Sequence, residues 1–223
     1  MNCGWAAETC AVFRKEALSE IRGRHGLYTT LLFAVMTVTA LGFASARGNP
    51  GPTLAAGMLW VAMLFAAITG LARTFILEEE QGTGDLLRLW GKPGPVFWGK
   101  LLYNLLLLVI VAAVVVPLFT LFVGAEVSDP GLLLAGLASG CAALAAAISM
   151  CGALVCRSSS RAVLSGVISV PVLLPVVLLG IGALRIAFGD AGSEGWESVA
   201  GLAGLAVAFG AAGPYLFAAV WKQ

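Results

Sequence analysis

A few groups of residues in this chain have the types and spacing from which chemistry could be built. Gly94-Pro-Val-Phe-Trp-Gly99-Lys100-Leu101 satisfies the spacing of a phosphate-binding loop up to its last position. Leu101 stands where a hydroxyl would hold magnesium, Pro95 and Trp98 obstruct a run of free amides, and no strand precedes it. The stretch is therefore not read as a nucleotide site, and Lys100 is read as a basic anchor at the start of a membrane span. The single histidine, His25, cannot alone supply paired haem ligation or a zinc set, and no Ser/His/Asp arrangement assembles around it. Cys3, Cys10, Cys141, Cys151 and Cys156 form no Cys-x-x-Cys pair and read as packing residues or free thiols. The remaining group is the charged block Arg73–Lys100. There Glu78, Glu79, Glu80 and Asp85 offer charge, Gly82 and Gly84 a sharp turn, and Leu86, Leu87, Leu89 and Trp90 an apolar ridge.

The elements that must position these residues are set by an extreme composition. The chain is 60% hydrophobic and 11% charged, with a mean hydropathy of +0.96, against about 25% charged residues in ordinary soluble domains. It is an integral membrane protein. A balanced formal charge of +1 argues against a nucleic-acid partner, which calls for a basic face. Apolar runs near 27–46, 53–72, 101–123, 132–156, 162–184 and 198–220 are each long enough to cross a hydrocarbon core. Without an alternating polar face they must be helices, so the fold class is all-α, a polytopic bundle of six transmembrane helices. The domain reading is a single transmembrane domain over 1–223, with an interfacial helix in 1–26 and a coupling loop at 73–100 carrying a short helix.

Basic residues fix the expected orientation. Arg14, Lys15, Arg22, Arg24, Arg73, Arg88, Lys92, Lys100, Arg157, Arg161 and Lys222 fall on one side, and only Arg47 and Arg185 on the other, with Glu126, Asp129, Asp190, Glu194 and Glu197. By the positive-inside rule both termini and the 73–100 block are cytoplasmic. The first apolar run follows a polar segment and precedes no small-residue cleavage site, so it is expected to remain as a helix.

Residues 6–24 read as a helix in the membrane interface. Cys10, Phe13, Ala17 and Ile21 form its apolar stripe, and Arg14, Lys15, Glu16, Glu20, Arg22 and Arg24 its polar face. Gly48-Asn-Pro-Gly-Pro52 makes a tight outer turn. Pro117, Pro171 and Pro175 are expected to kink or locally unwind their spans, either as hinges or as static bends. Gly136, Gly140, Ala142–Ala147, Gly201, Gly204, Gly210 and Gly213 permit close helix approach, within one chain or between two.

The spans carry almost no ionisable residues, which removes the usual marks of an ion-coupled carrier. Energy for transport would then come from a soluble ATPase docking on the cytoplasmic face, and the 73–100 block is the natural dock, a short helix set into a groove.

That block resembles the cytoplasmic loop of ABC-2 type permeases and, more closely, of the cytochrome c maturation protein B (CcmB) family of haem-exporter permeases. The pattern is Arg73-x-Phe75-x-x-Glu78-x-x-x-Gly82-Thr83-x-Asp85-x-Leu87, followed by Gly99-Lys100-Leu101-Leu102-x-Asn104-Leu105 and Pro117-Leu118-Phe119. Arg14-Lys15-Glu16, Glu20-x-Arg22, Gly57-Met-Leu-Trp60-Val-Ala-Met-Leu-Phe65, Arg157-Ser-Ser-Ser-Arg161 and Pro171-Val-Leu-Leu-Pro175 continue the likeness over most of the chain. The chain departs from the family at Gly84-Asp85, where Leu-Glu is usual, and at Gly91, where a proline usually follows the leucine run.

The resemblance implies a non-catalytic permease subunit of the bacterial inner membrane, paired with a separate ATPase that binds ATP. Two copies of each, haem-handling membrane proteins and a haem chaperone are the implied partners. Arg73, Phe75, Glu78, Gly82, Thr83, Asp85, Leu86 and Leu87 become the expected docking residues. No cofactor or metal is assigned to this chain, and haem is the implied transported or handled substrate. An ABC-2 permease for lipid, drug or polysaccharide would share the fold and the dock, and a non-transporting scaffold would share the membrane anchor.

Overall fold

In the computed structural model of the protein, the structure describes residues 4–23, 25–45, 48, 50–71, 74, 91–155 and 161–221. The described residues are all-helical. Helix α1 is Trp5–Gly23 and α2 is His25–Ser45; α3 is Pro52–Leu71, α4 is Pro93–Val123, α5 is Pro130–Val155, α6 is Arg161–Ala187 and α7 is Gly195–Trp221. Helices α2 to α7 are each long and apolar enough to cross a membrane, which makes this a multi-pass membrane protein.

Local chemistry sets the ends. α3 opens on Pro52 and α4 on Pro93, where a fixed φ suits the helix and the missing N–H would have had no intrahelical partner. α5 opens on Pro130 behind Asp129, whose Oδ1 accepts the Leu132 N–H at 3.0 Å. α4 closes at Gly124 in the left-handed region (φ 71°), its N–H donating to the Thr120 carbonyl.

The expected spans match these helices to within a few residues, with one substantive correction. The third span begins at Pro93 rather than near 101, so Lys100 lies two turns inside α4 and is 1% exposed. It is not a surface anchor, and the near phosphate-loop is a helix whose later amides are engaged within it. At 31 residues α4 is roughly 46 Å long, which exceeds a hydrocarbon core of about 30 Å. Its first turns therefore stand in the polar zone beside α1.

α5 is the central helix, packing on α3, α4, α6 and α7. Several of the small residues serve packing within the chain: Gly136 faces Ala183 and Leu184 on α6, and Gly213 on α7 receives the Phe97 ring of α4. Pro117, Pro171 and Pro175 lie inside α4 and α6, which run through them as continuous helix, so none marks an unwound stretch. Pro214 lies inside α7 in the same way. At the end of the bundle where α5 and α7 begin, Ser128 and Asp129 donate backbone N–H to the Ala187 carbonyl at 2.9 and 3.1 Å, and Arg185 lies 3.6 Å from Asp190 and 3.3 Å from Glu194. Thr53 Oγ1 donates to Asp190, tying the start of α3 to the turn after α6.

One buried contact inside the bundle is conspicuous. Trp60 of α3 is 2% exposed and its indole lies between Gly140 of α5 and Gly180 of α6, where a Cβ would collide with the ring. Its Nε1–H meets no acceptor among the described residues. An unpaired buried donor costs about 1–3 kcal/mol. Trp60→Phe, which removes the donor and keeps an aromatic ring, should therefore leave thermal stability in detergent near that of the parent. Trp60→Ala should lose about 3–5 kcal/mol. Gly180→Ala should destabilise by about 1–3 kcal/mol through overpacking, and combining it with Trp60→Phe should recover part of that loss.

Candidate functional site

Four of the seven buried polar residues among those described, Thr74, Lys100, Asn104 and Ser149, converge where α1, α4, α5 and Thr74 meet. α1 reaches that point because Gly99 has no side chain: a Cβ there would lie 2.7 Å from Val12 Cβ and 2.9 Å from the Thr9 carbonyl oxygen. Phe13 and Ala17 pack on the core as expected, but Cys10 is exposed and Ile21 is 64% exposed. The inward face instead carries Glu16 and Glu20, which the sequence pattern placed on the polar side. Both turn inward because buried donors wait for them.

Lys100 Nζ donates to Glu16 Oε1 at 2.9 Å and to the Thr74 carbonyl at 2.7 Å. Glu16 is only 12% exposed, so the pair is screened little by water. Lys15 Nζ adds a second contact to Glu16 Oε1 at 3.1 Å from the outer side. One turn beyond Lys100, Asn104 is fully buried; its Oδ1 accepts from Thr74 Oγ1 at 2.8 Å and its Nδ2 donates to Ser149 Oγ of α5 at 2.9 Å. Glu20 closes the array, accepting the Leu27 N–H at 2.6 Å at the start of α2 and the Tyr103 hydroxyl at 3.3 Å. Thus Glu16, Lys100, Thr74, Asn104 and Ser149 form one continuous chain of hydrogen bonds, and Glu20 ties α1, α2 and α4 together beside it.

This arrangement joins α1, α4, α5 and Thr74 through buried hydrogen bonds. The ammonium is sealed by its acceptors, and among the described residues no group of three His, Cys, Asp or Glu could hold a metal. Cys141 and Cys151 are buried free thiols, and Cys141 lines an apolar groove of about 330 Å³ with Val109, Pro117 and Leu137 between α4 and α5. Cys3, Cys156 and the His25 side chain lie outside the described residues.

The expected docking residues Arg73, Phe75, Glu78, Gly82, Thr83, Asp85, Leu86 and Leu87 also lie outside the described residues. What the structure adds is the anchor beside them, since Thr74 stands between Arg73 and Phe75 and is held at both its carbonyl and its hydroxyl. Sequence reasoning missed Glu16, Glu20, Thr74, Asn104 and Ser149 as a set. A usable signal existed, because Lys100 and Asn104 are four apart in an otherwise apolar run, as are Glu16 and Glu20 in α1.

The CcmB protein family matches residues 7–222, nearly the whole chain. The chain belongs to the CcmB family. Members of this family are haem-exporter membrane subunits of cytochrome c maturation, which accords with the six membrane-length helices here. No curated protein shows significant similarity to this CcmB-family chain.

Removing one partner of a buried ion pair leaves the other charge uncompensated, at a cost of about 3–5 kcal/mol. Glu16→Ala should show that loss in thermal or denaturant unfolding of the detergent-solubilised chain. The double variant Glu16→Gln/Lys100→Met, which removes both charges, should be closer to the parent than either single variant. Equal losses for singles and double would contradict the pairing.

Proposed function

We propose that this CcmB-family chain is the permease subunit of an ATP-driven ABC complex that supports haem delivery for c-type cytochrome maturation. A separate ATPase subunit docks on residues 73–100. The reading places the chain in the bacterial inner membrane with both termini and the docking block cytoplasmic, in keeping with the basic residues gathered on that side. It has two copies of permease and ATPase, together with haem-handling membrane proteins and a haem chaperone. Haem is cargo, ATP is bound by the partner, and this chain contributes no catalytic group.

The observation that carries the coupling is the anchoring of Thr74. In the proposed cycle, ATP binding closes the ATPase dimer and displaces the docked segment. The displacement reaches α4 and α1 through the Lys100 bonds to Thr74 and Glu16, and reaches α5 through Asn104 and Ser149. Charge-assisted hydrogen bonds are worth roughly 1.5–3 kcal/mol each, enough to shift a two-state equilibrium by ten- to a hundredfold.

Deleting residues 76–90 should release the ATPase from membranes. Glu16→Gln/Lys100→Met should leave it bound and yet reduce holo-cytochrome c formation by about tenfold or more. Co-purification of the ATPase with the deletion variant at the parental level would sink the docking reading.

A further inference from the structure

We propose that Glu20 is a positioning residue that commits the first membrane span, α2, to the motion of α1 and α4, so that the seam between α2 and α3 is the one that slides. The inference rests on the proposed cycle, in which α1 and α4 receive the displacement of Thr74. Because α2 begins at His25, the Leu27 N–H belongs to its first turn and has no intrahelical acceptor. Glu20 of α1 accepts that N–H at 2.6 Å, which sets a carboxylate at the positive end of the α2 dipole. Gly26 leaves room for it, since a Cβ there would lie 2.8 Å from Glu20 Oε2. The same carboxylate accepts the Tyr103 hydroxyl of α4 at 3.3 Å, so three helices share one acceptor.

The far end of α2 is held to α4 as well. Gly42 is buried against Phe122, where an added Cβ would lie 2.7 Å from the Phe122 Cβ. The two ties stand about 24 Å apart along α2, enough to fix its direction relative to α4. Toward α3, by contrast, α2 presents Phe33, whose ring lies 6.2 Å from that of Phe65 and is tilted by 58°. Rings in contact exchange one apolar neighbour for another at small cost, whereas releasing Leu27 would break a charge-assisted bond. α3 is keyed instead to α6: the Trp60 ring fills the place of a Cβ on Gly180, and Thr53 Oγ1 donates to Asp190 in the turn after α6. The boundary between α2 and α3 thus separates two differently anchored bodies.

Hydrogen exchange at the Leu27 amide, measured on the full-length chain in lipid nanodiscs, reads the cap without the ATPase. E20A should exchange that amide about ten- to a hundredfold faster than the parent, and E20Q, which keeps an acceptor, should stay closer to it. The seam is read in the complex with the ATPase, with Glu20 intact. F33C/F65C, at two partly exposed positions in a chain whose own cysteines are replaced by alanine, is bridged with a short bifunctional thiosulfonate. Bridging should slow ATP hydrolysis by about tenfold or more, and reduction of the bridge should restore it, which a merely structural contact would not do. The proposal is overturned if Leu27 exchanges in E20A as it does in the parent, or if the bridged pair hydrolyses ATP at the unbridged rate. A parent that retains no ATPase would sink the docking reading instead, and Leu27 exchange would still decide whether Glu20 holds α2.

Discussion

A charged ammonium that is 1% exposed inside a membrane helix bundle is the constraint around which the lower half of this protein is arranged. Burying an amine whose N–H donors lack acceptors costs several kcal/mol, so acceptors have to be brought to Lys100. Glu16 and the Thr74 carbonyl are those acceptors. To deliver Glu16, α1 must lie flat against the start of α4, which requires the missing side chain at Gly99. Thr74 is held there as well by its hydroxyl, which donates to Asn104 Oδ1 at 2.8 Å. The path of α1 and the position of Thr74 both follow from one amine.

The two ends of the bundle are held by different physics. At the end where α5 and α7 begin, Arg185, Asp190 and Glu194 are exposed to solvent to differing degrees, and ion pairs of that kind contribute at most about 1 kcal/mol. Backbone bonds to the Ala187 carbonyl and apolar packing around Phe188 and Phe119 carry more of the structure there. At the other end polar groups are buried and all but sealed, and each side chain in the chain from Glu16 to Ser149 has more than one element depending on it. In between, small residues on α5 and α6 let helices approach until the packing itself holds them, with Trp60 as the largest side chain in that layer. The end where α5 and α7 begin is thus held mainly by packing and exposed pairs, and the end at Lys100 by buried hydrogen bonds.

Most of the architecture was legible because its cause is one-dimensional. A run of apolar residues long enough to span a bilayer has one solution for its backbone, and the Gly-Pro turn before α3 could not continue either neighbour. The start of α4 was misread for the same reason: hydropathy falls at Lys92 and Lys100, although Pro93 marks the true first turn. The faces of α1 were misread because helical periodicity reports where apolar side chains recur and is blind to a buried donor on another helix. Glu16 and Glu20 were assigned to water since nothing local reveals Lys100, Tyr103 or the Leu27 amide as their partners. Asn104 was noticed only as part of a family pattern, whereas its four-residue offset from Lys100 within an apolar run was the physical clue. The expected docking residues belong to the stretch outside the described residues, and what the fold contributes beside them is the tether at Thr74.

The nature of that tether decides what it can transmit. An apolar contact between two segments can slide by an ångström at small cost, because one hydrocarbon neighbour replaces another. A buried charge cannot slide in this way. If Thr74 were pulled from Lys100 without α4 following, the amine would lose an acceptor 2.7 Å away in a place with little water to replace it. Moving α4 without α1 would strand both Lys100 and Glu16, and Asn104 would lose its bonds to Thr74 and Ser149 in the same step. The least costly displacement is therefore one in which Thr74, α4 and α1 travel together, with α5 drawn through Ser149. On the proposed reading, this is why a permease whose spans are otherwise almost free of charge keeps a lysine in the one place where a partner's movement has to be received.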